Sequence, residues 1–426
     1  MFPSCCRQGS LRKKFDKGRG SVPKYRALIV SVVLILIAGC GGGGGSGSSS
    51  APSANSIAAP AQNAMSISVN SGPAGNINLA YATVTLCAPG SSNCQAIDNV
   101  LIDTGSTGLR VMSSVLSSSL SLPQKADASG NPVAQCAQFA TGFSWGPVRL
   151  ADVKMAGEQA SSLAIQVIGD PAFAAIPTDC AGTGAAKNTV QSFGANGVLG
   201  VSSFRQDCGI GCARSASPGI YYVCPASGCQ AAAMPLAEQL QNPVSKFAVD
   251  NNGIILELPS VGAAGAASVS GVMVFGIGTQ ANNGLGSASV LTLDPATGHL
   301  TTMYNNSSIT NSFFDSGSNA LFFQDSNIPA CSNPAVAGFY CPASTQSLSA
   351  IIQGTNGTSA AVNFSVANAE ELVTNNPGFT AFANLASPQF PFLGFDWGLP
   401  FFYGRNVFVA IDGASTPGGP GPYIAF

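Results

Sequence analysis

Val100-Leu101-Ile102-Asp103-Thr104-Gly105-Ser106 and Phe313-Phe314-Asp315-Ser316-Gly317-Ser318 repeat one another within a single chain. In each, an apolar run ends on a carboxylate, followed by a small hydroxyl residue and a glycine. Apolar residues then resume: Leu109 and Val111 in the first copy, Leu321, Phe322 and Phe323 in the second. A carboxylate at the end of a buried strand is unusual, because a lone buried charge is costly. One such turn reads equally well as ordinary turn chemistry, since Asp and Gly are common turn formers. Two in matched apolar frames point to carboxylates that meet.

The repeat extends beyond these turns. About ninety residues after the first comes Asn196-Gly197-Val198-Leu199-Gly200-Val201, and somewhat sooner after the second comes Phe390-Pro391-Phe392-Leu393-Gly394-Phe395. Each copy reads as a carboxylate turn, a long excursion and an apolar-Leu-Gly segment. A boundary near residues 243–250 separates them, giving an N-terminal lobe over 66–245 and a C-terminal lobe over 246–426. Short alternating runs such as Ala80-Tyr81-Ala82-Thr83-Val84-Thr85-Leu86, punctuated by Gly, Pro and Asn-Gly, predict an all-β protein. With 50 Gly, 27 Pro and 8% charged residues, the composition agrees. Ala231–Gln241 is one of few helical candidates.

The N-terminus reads differently. Eight of the 17 Lys and Arg precede the apolar run 27–37, the pattern of an export signal over 1–39. Leu36-Ile37-Ala38-Gly39-Cys40 resembles a bacterial lipobox, which implies lipidation of Cys40, and Gly41 resembles an outer-membrane sorting pattern. Residues 40–65, rich in Gly, Ser and Ala, read as a flexible tether. Removing the signal takes eight basic and one acidic residue, leaving the rest near −9, which argues against nucleic acid as a partner.

Ten cysteines follow Cys40, an even number that reads as disulfides in an exported chain. One connectivity joins Cys87 to Cys94, Cys208 to Cys212, Cys224 to Cys229 and Cys331 to Cys341, leaving Cys136 with Cys180. The rival reading makes Cys208, Cys212, Cys224 and Cys229 a four-thiolate zinc site.

His299 is the single histidine. It reads as a surface loop residue, and its isolation disfavours Ser-His-Asp, Cys-His and His-ligated zinc catalysis. Paired carboxylates remain. Two aspartates held close share a proton, so one serves as base and the other as acid. Gly105 and Gly317 let the turns approach. Thr104 and Ser316 offer hydroxyls to the opposite turn, and Ser106 and Ser318 can hold the outer carboxylate oxygens. No metal or cofactor is expected.

The chain resembles the pepsin-like bilobal aspartic proteases over roughly residues 66–426, in both Asp-[Thr/Ser]-Gly-Ser signatures and both apolar-Leu-Gly segments. Gly271-Val272-Met273-Val274-Phe275-Gly276 and the stretch 399–412 are similar to further strands of that family. The resemblance implies two β-barrel-like lobes with a cleft, Asp103 and Asp315 as catalytic residues, and an extended peptide or unfolded protein as substrate. A monomer, lipid-anchored in the cell envelope, is expected. Phe139-Ala140-Thr141-Gly142-Phe143-Ser144-Trp145-Gly146 is similar to the family's flap hairpin, but Phe139 stands where the family has a Tyr. Arg110 stands where it has that tyrosine's Trp partner, so the flap must close differently; Trp145 could supply bulk there. The alternative reading is a weak or inactive relative that binds peptides in the envelope.

Overall fold

The residues before and after each carboxylate turn pair with one and the same distant strand, and this sharing organises the fold. The computed structural model describes residues 55–388 and 394–426. They form an all-β protein with one sheet of 15 strands, one of seven and one of two, and no described helix exceeds seven residues. None of these helices is long and apolar enough to cross a membrane.

The strand Cys94–Asp103 pairs in parallel with Gly197–Val201, placing Asp103 opposite Gly200. The chain after the turn, Thr107–Met112, pairs antiparallel with the same strand, Gly108 opposite Gly200. Parallel pairing needs a long crossover, and the ninety-residue excursion supplies it. The second copy repeats this: Ser307–Asp315 pairs in parallel with Phe395–Gly398, Asp315 opposite Gly398, while Phe322 lies antiparallel to Asp396.

This register corrects the expected repeat. The counterpart of Gly200 is Gly398, four residues beyond Gly394, and Asp396-Trp397-Gly398 corresponds to Val198-Leu199-Gly200. Close packing against the turn demands the glycine. A Cβ on Gly200 would lie 2.7 Å from the Ser106 carbonyl carbon, and one on Gly398 would lie 2.0 Å from the Ala320 carbonyl oxygen. Residues 390–393 lie outside the described residues.

The large sheet joins both halves of the sequence. Ala64–Val69 pairs with Val269–Phe275 on one side and with Ala80–Cys87 on the other. The expected boundary falls at the single 3-10 turn Val244–Lys246, and the described residues belong to one compact unit. Beneath the second turn lies an aromatic core. Phe395 stacks on Trp397 at 4.2 Å and on Phe323 at 4.9 Å, and the buried Trp397 Nε1 donates to Thr302 Oγ1 at 3.0 Å.

Five disulfides join Cys87–Cys94, Cys136–Cys180, Cys208–Cys212, Cys224–Cys229 and Cys331–Cys341. Thiols joined in this way supply no thiolates for zinc. Two expectations fail. Ala231–Gln241 is not a helix, because Pro235 interrupts it and only Leu236–Glu238 makes a 3-10 turn. The tether also ends sooner than residue 65. Asn55 Nδ2 donates to Leu258 O at 3.1 Å and Asn406 Oδ1 at 2.7 Å, and the buried Asn63 holds Phe275 O at 3.0 Å. The signal segment and Cys40 lie outside the described residues.

Candidate active site

The two carboxylate turns grip one another through their hydroxyl residues. Ser316 N donates to Thr104 Oγ1 at 2.9 Å, and Thr104 N donates to Ser316 Oγ at 3.1 Å. Each hydroxyl donates onward into the opposite strand, Thr104 Oγ1 to Phe314 O at 3.2 Å and Ser316 Oγ to Ile102 O at 2.8 Å. All four bonds are buried, where an unmade partner is expensive. They fix the turns face to face.

Within each turn the carboxylate is held alike. Gly105 N donates to Asp103 Oδ1 at 2.8 Å, and Gly317 N to Asp315 Oδ1 at 2.8 Å. Ser106 Oγ donates to Asp103 Oδ2, and Ser318 Oγ to Asp315 Oδ2 at 3.0 Å. The glycines make the approach possible: a Cβ on Gly105 would sit 2.6 Å from Asp315 Cγ, and one on Gly317 would sit 2.8 Å from Asp103 Oδ1.

Asp315 is pushed well above the usual carboxylate range by burial, then by the neighbouring carboxyls of Asp103 and Asp396 and by a hydrogen bond with Asp103. Two like charges this close cannot both stand cheaply.

The flap-like hairpin is built from Val133–Phe139 and Gly142–Met155, with Ala140 and Thr141 exposed at its tip. Phe139 packs edge-on against Phe193 at 5.5 Å. Arg110 turns away into a buried network: Nη2 meets Asp207 Oδ2 at 3.0 Å, Nη1 donates to Thr107 O at 2.8 Å and Nε to Gln135 Oε1 at 3.2 Å. Tyr221 OH donates to Asp207 Oδ1 at 2.6 Å, and Gln135 Nε2 donates to Asp207 Oδ2. Burial raises Asp207 above its ordinary value, while Arg110, Tyr221 and Gln135 pull it back.

Both edges of the hairpin are engaged. Val133, Ala134 and Gln135 pair with Val223, Tyr222 and Tyr221. On the far edge, Phe143 N donates to Ala185 O at 2.9 Å, and Lys187 N donates to Phe143 O at 2.7 Å. Gly142, at φ +149°, lets this strap pass, since a Cβ there would lie 2.0 Å from Ala185 O. The Cys136–Cys180 disulfide staples hairpin to strap. Trp145 does not fill the tip; it is buried, edge-on to Tyr222 at 5.1 Å, and its Nε1 donates to Phe173 O at 2.8 Å.

The family model described as "Protein of unknown function (DUF3443)" matches residues 59–426. The chain belongs to the DUF3443 family. No curated protein matches it.

In this DUF3443 chain His299 is half-buried rather than a free surface residue, stacked on Phe313 at 6.0 Å, two residues before Asp315. Burial lowers its pKa, against an opposing pull from Asp294. Sequence reasoning missed Asp207, Gln135 and Tyr221, which only folding assembles. It also missed Asp396, whose signal was the one already used for Asp103: a carboxylate inside an apolar run.

Proposed function

We propose that this DUF3443 chain is an aspartic endopeptidase on a pepsin-like bilobal fold. The observation that carries the reading is the reciprocal Thr104–Ser316 grip, which sets two carboxyls against each other with Asp315 raised. In this reaction Asp315 carries the shared proton. Asp103, receiving the Gly105 N–H and the Ser106 hydroxyl, is the base that takes a proton from water as its oxygen attacks the peptide carbonyl carbon. Asp315 gives its proton to the carbonyl oxygen, and a neutral diol forms with no covalent enzyme intermediate. Proton transfer to the amide nitrogen then lets the C–N bond break. An extended peptide in a cleft between the lobes is the substrate class, and a lipid on Cys40 tethers the monomer to the outer membrane.

A second reading, a peptide-binding envelope protein without turnover, draws on the strapped hairpin, both of whose edges are already paired. Purified protein is assayed on unfolded protein substrates from pH 3 to 8, with a pepstatin-type inhibitor. Cleavage that is inhibited and is abolished in Asp103→Asn and Asp315→Asn supports the peptidase. Cleavage unchanged in both variants refutes the dyad, and peptide binding without cleavage supports the second reading.

A further inference from the structure

The internal repeat that builds the site breaks at one position. Register equates Val198, paired with Leu101, and Asp396, paired with Phe313, each partner lying two residues before a site aspartate. Val198 is fully buried and apolar, as its packing requires. Asp396 is equally buried, and neither carboxyl oxygen has a hydrogen-bond partner among the described residues. An ionised carboxylate placed there gives up its charge rather than stay unpaired.

Among the described residues no cation compensates it. The strand Ser307–Asp315 presents Phe313 and Asp315 to this face, Leu321–Phe322 presents Phe322, and the opposed turn brings Asp103. His299, stacked on Phe313, is held toward neutrality by burial. The three ion pairs among the described residues lie elsewhere, at Arg110–Asp207, Lys125–Glu238 and Arg149–Asp170. Ser318 is close enough to pull the Asp396 pKa downward, yet neither Asp396 oxygen has a hydrogen bond and the Ser318 hydroxyl donates to Asp315 Oδ2 at 3.0 Å. A carboxylate cannot donate to that oxygen; a carboxylic acid can.

We propose that Asp396 is a third carboxyl of the site, carried as the neutral acid, a positioning residue that donates through Ser318 to hold the Asp315 carboxyl in place. The inference rests on the reading of Asp103 and Asp315 as a proton-sharing pair. Burial first, with the charge of Asp103 adding to it, pushes Asp396 well above the ordinary carboxylate range against a downward pull from Ser318. A carboxyl raised by folding contributes its stability below the unfolded pKa, near ~4, and loses it as pH rises through the folded value. The site is thus built for the acid side, and a rising pH puts a second charge beside the dyad.

Thermal unfolding of the full chain and of Asp396→Asn, from pH 4 to 8, tests this. Asn keeps the volume and a donor but cannot ionise. The variant is expected to match the wild type within about 1 °C at pH 4 and to exceed it by roughly 3–6 °C at pH 8. A difference that stays constant across the range overturns the proposal. If the variant does not fold, carboxyl titration of 13C-aspartate-labelled wild type decides. The resonance assigned to Asp396 still protonated at pH 7 supports it, and an ionised Asp396 at that pH overturns it. These readouts need no peptide cleavage, so a chain that fails as a peptidase leaves them intact.

Discussion

Gly105→Ala isolates the approach of the two turns. Gly105 does not occupy the left-handed region, so its backbone accepts alanine and the added methyl is the whole perturbation. That methyl would lie 2.6 Å from Asp315 Cγ, 2.7 Å from Oδ2 and 2.8 Å from Oδ1, whereas ordinary contact begins at 3.4 Å. Asp315 or the whole turn must therefore retreat by about 0.8 Å. Asp315 is not free to rotate away, because Gly317 N and Ser318 Oγ hold its oxygens at 2.8 and 3.0 Å. The retreat draws on the Thr104–Ser316 grip and costs about 1–3 kcal/mol, as overpacking does elsewhere. A misplacement near 1 Å lowers a positioned reaction by about 100-fold. Thermal unfolding and peptide hydrolysis are compared with Gly262→Ala, whose added carbon would meet nothing within 4 Å; this control stays within about 0.5 kcal/mol of wild type. A Gly105→Ala variant as stable as the control refutes the face-to-face arrangement. One that is destabilised but cleaves normally refutes the assignment of Asp315 to the reaction.

Thr104→Val keeps the shape but strands Ser316 N–H and Phe314 C=O in a buried place, and denaturant unfolding should show a loss of about 2–4 kcal/mol. Arg110→Met leaves Asp207 buried without its cation and costs about 3–5 kcal/mol at neutral pH. Asp207 is already raised by burial and rises further without Arg110, so the deficit should shrink as pH falls toward ~4, where the carboxyl protonates in both states. Replacing Cys136 and Cys180 together by Ala opens a loop closed over 44 residues, at a cost of about 4 kcal/mol. Amide exchange at Phe143 and Lys187 should accelerate if the staple holds the strap to the hairpin, while protection equal to wild type would show that backbone pairing alone suffices.

How much was legible varied with how local each interaction is. The turns were readable because their bonds span two or three residues: Gly105 to Asp103, Ser106 to Asp103. The strands were readable because alternation is a property of neighbours. The disulfides were reachable because four of the five close loops of ten residues or fewer. The second apolar-Leu-Gly segment was misplaced because Leu393-Gly394 and Trp397-Gly398 look equally suitable until register puts one of them opposite Asp315. Arg110 was legible as a departure, but its side-chain partners, Gln135 and Asp207, lie 25 and 97 positions away, and Tyr221 joins them only through Asp207.

The sequence by itself determined the class of the fold, the positions of the two carboxylate turns and the chemistry two facing aspartates can do. These follow from periodicity, turn residues and side-chain type, all short-range properties of the chain. Only the tertiary structure decided that Thr104 and Ser316 clasp across 212 positions, that the hairpin is strapped on both edges, and that Asp396 stands where the other half has Val198. Those outcomes depend on register and on which atoms exclude water together, and neither exists until distant strands have packed.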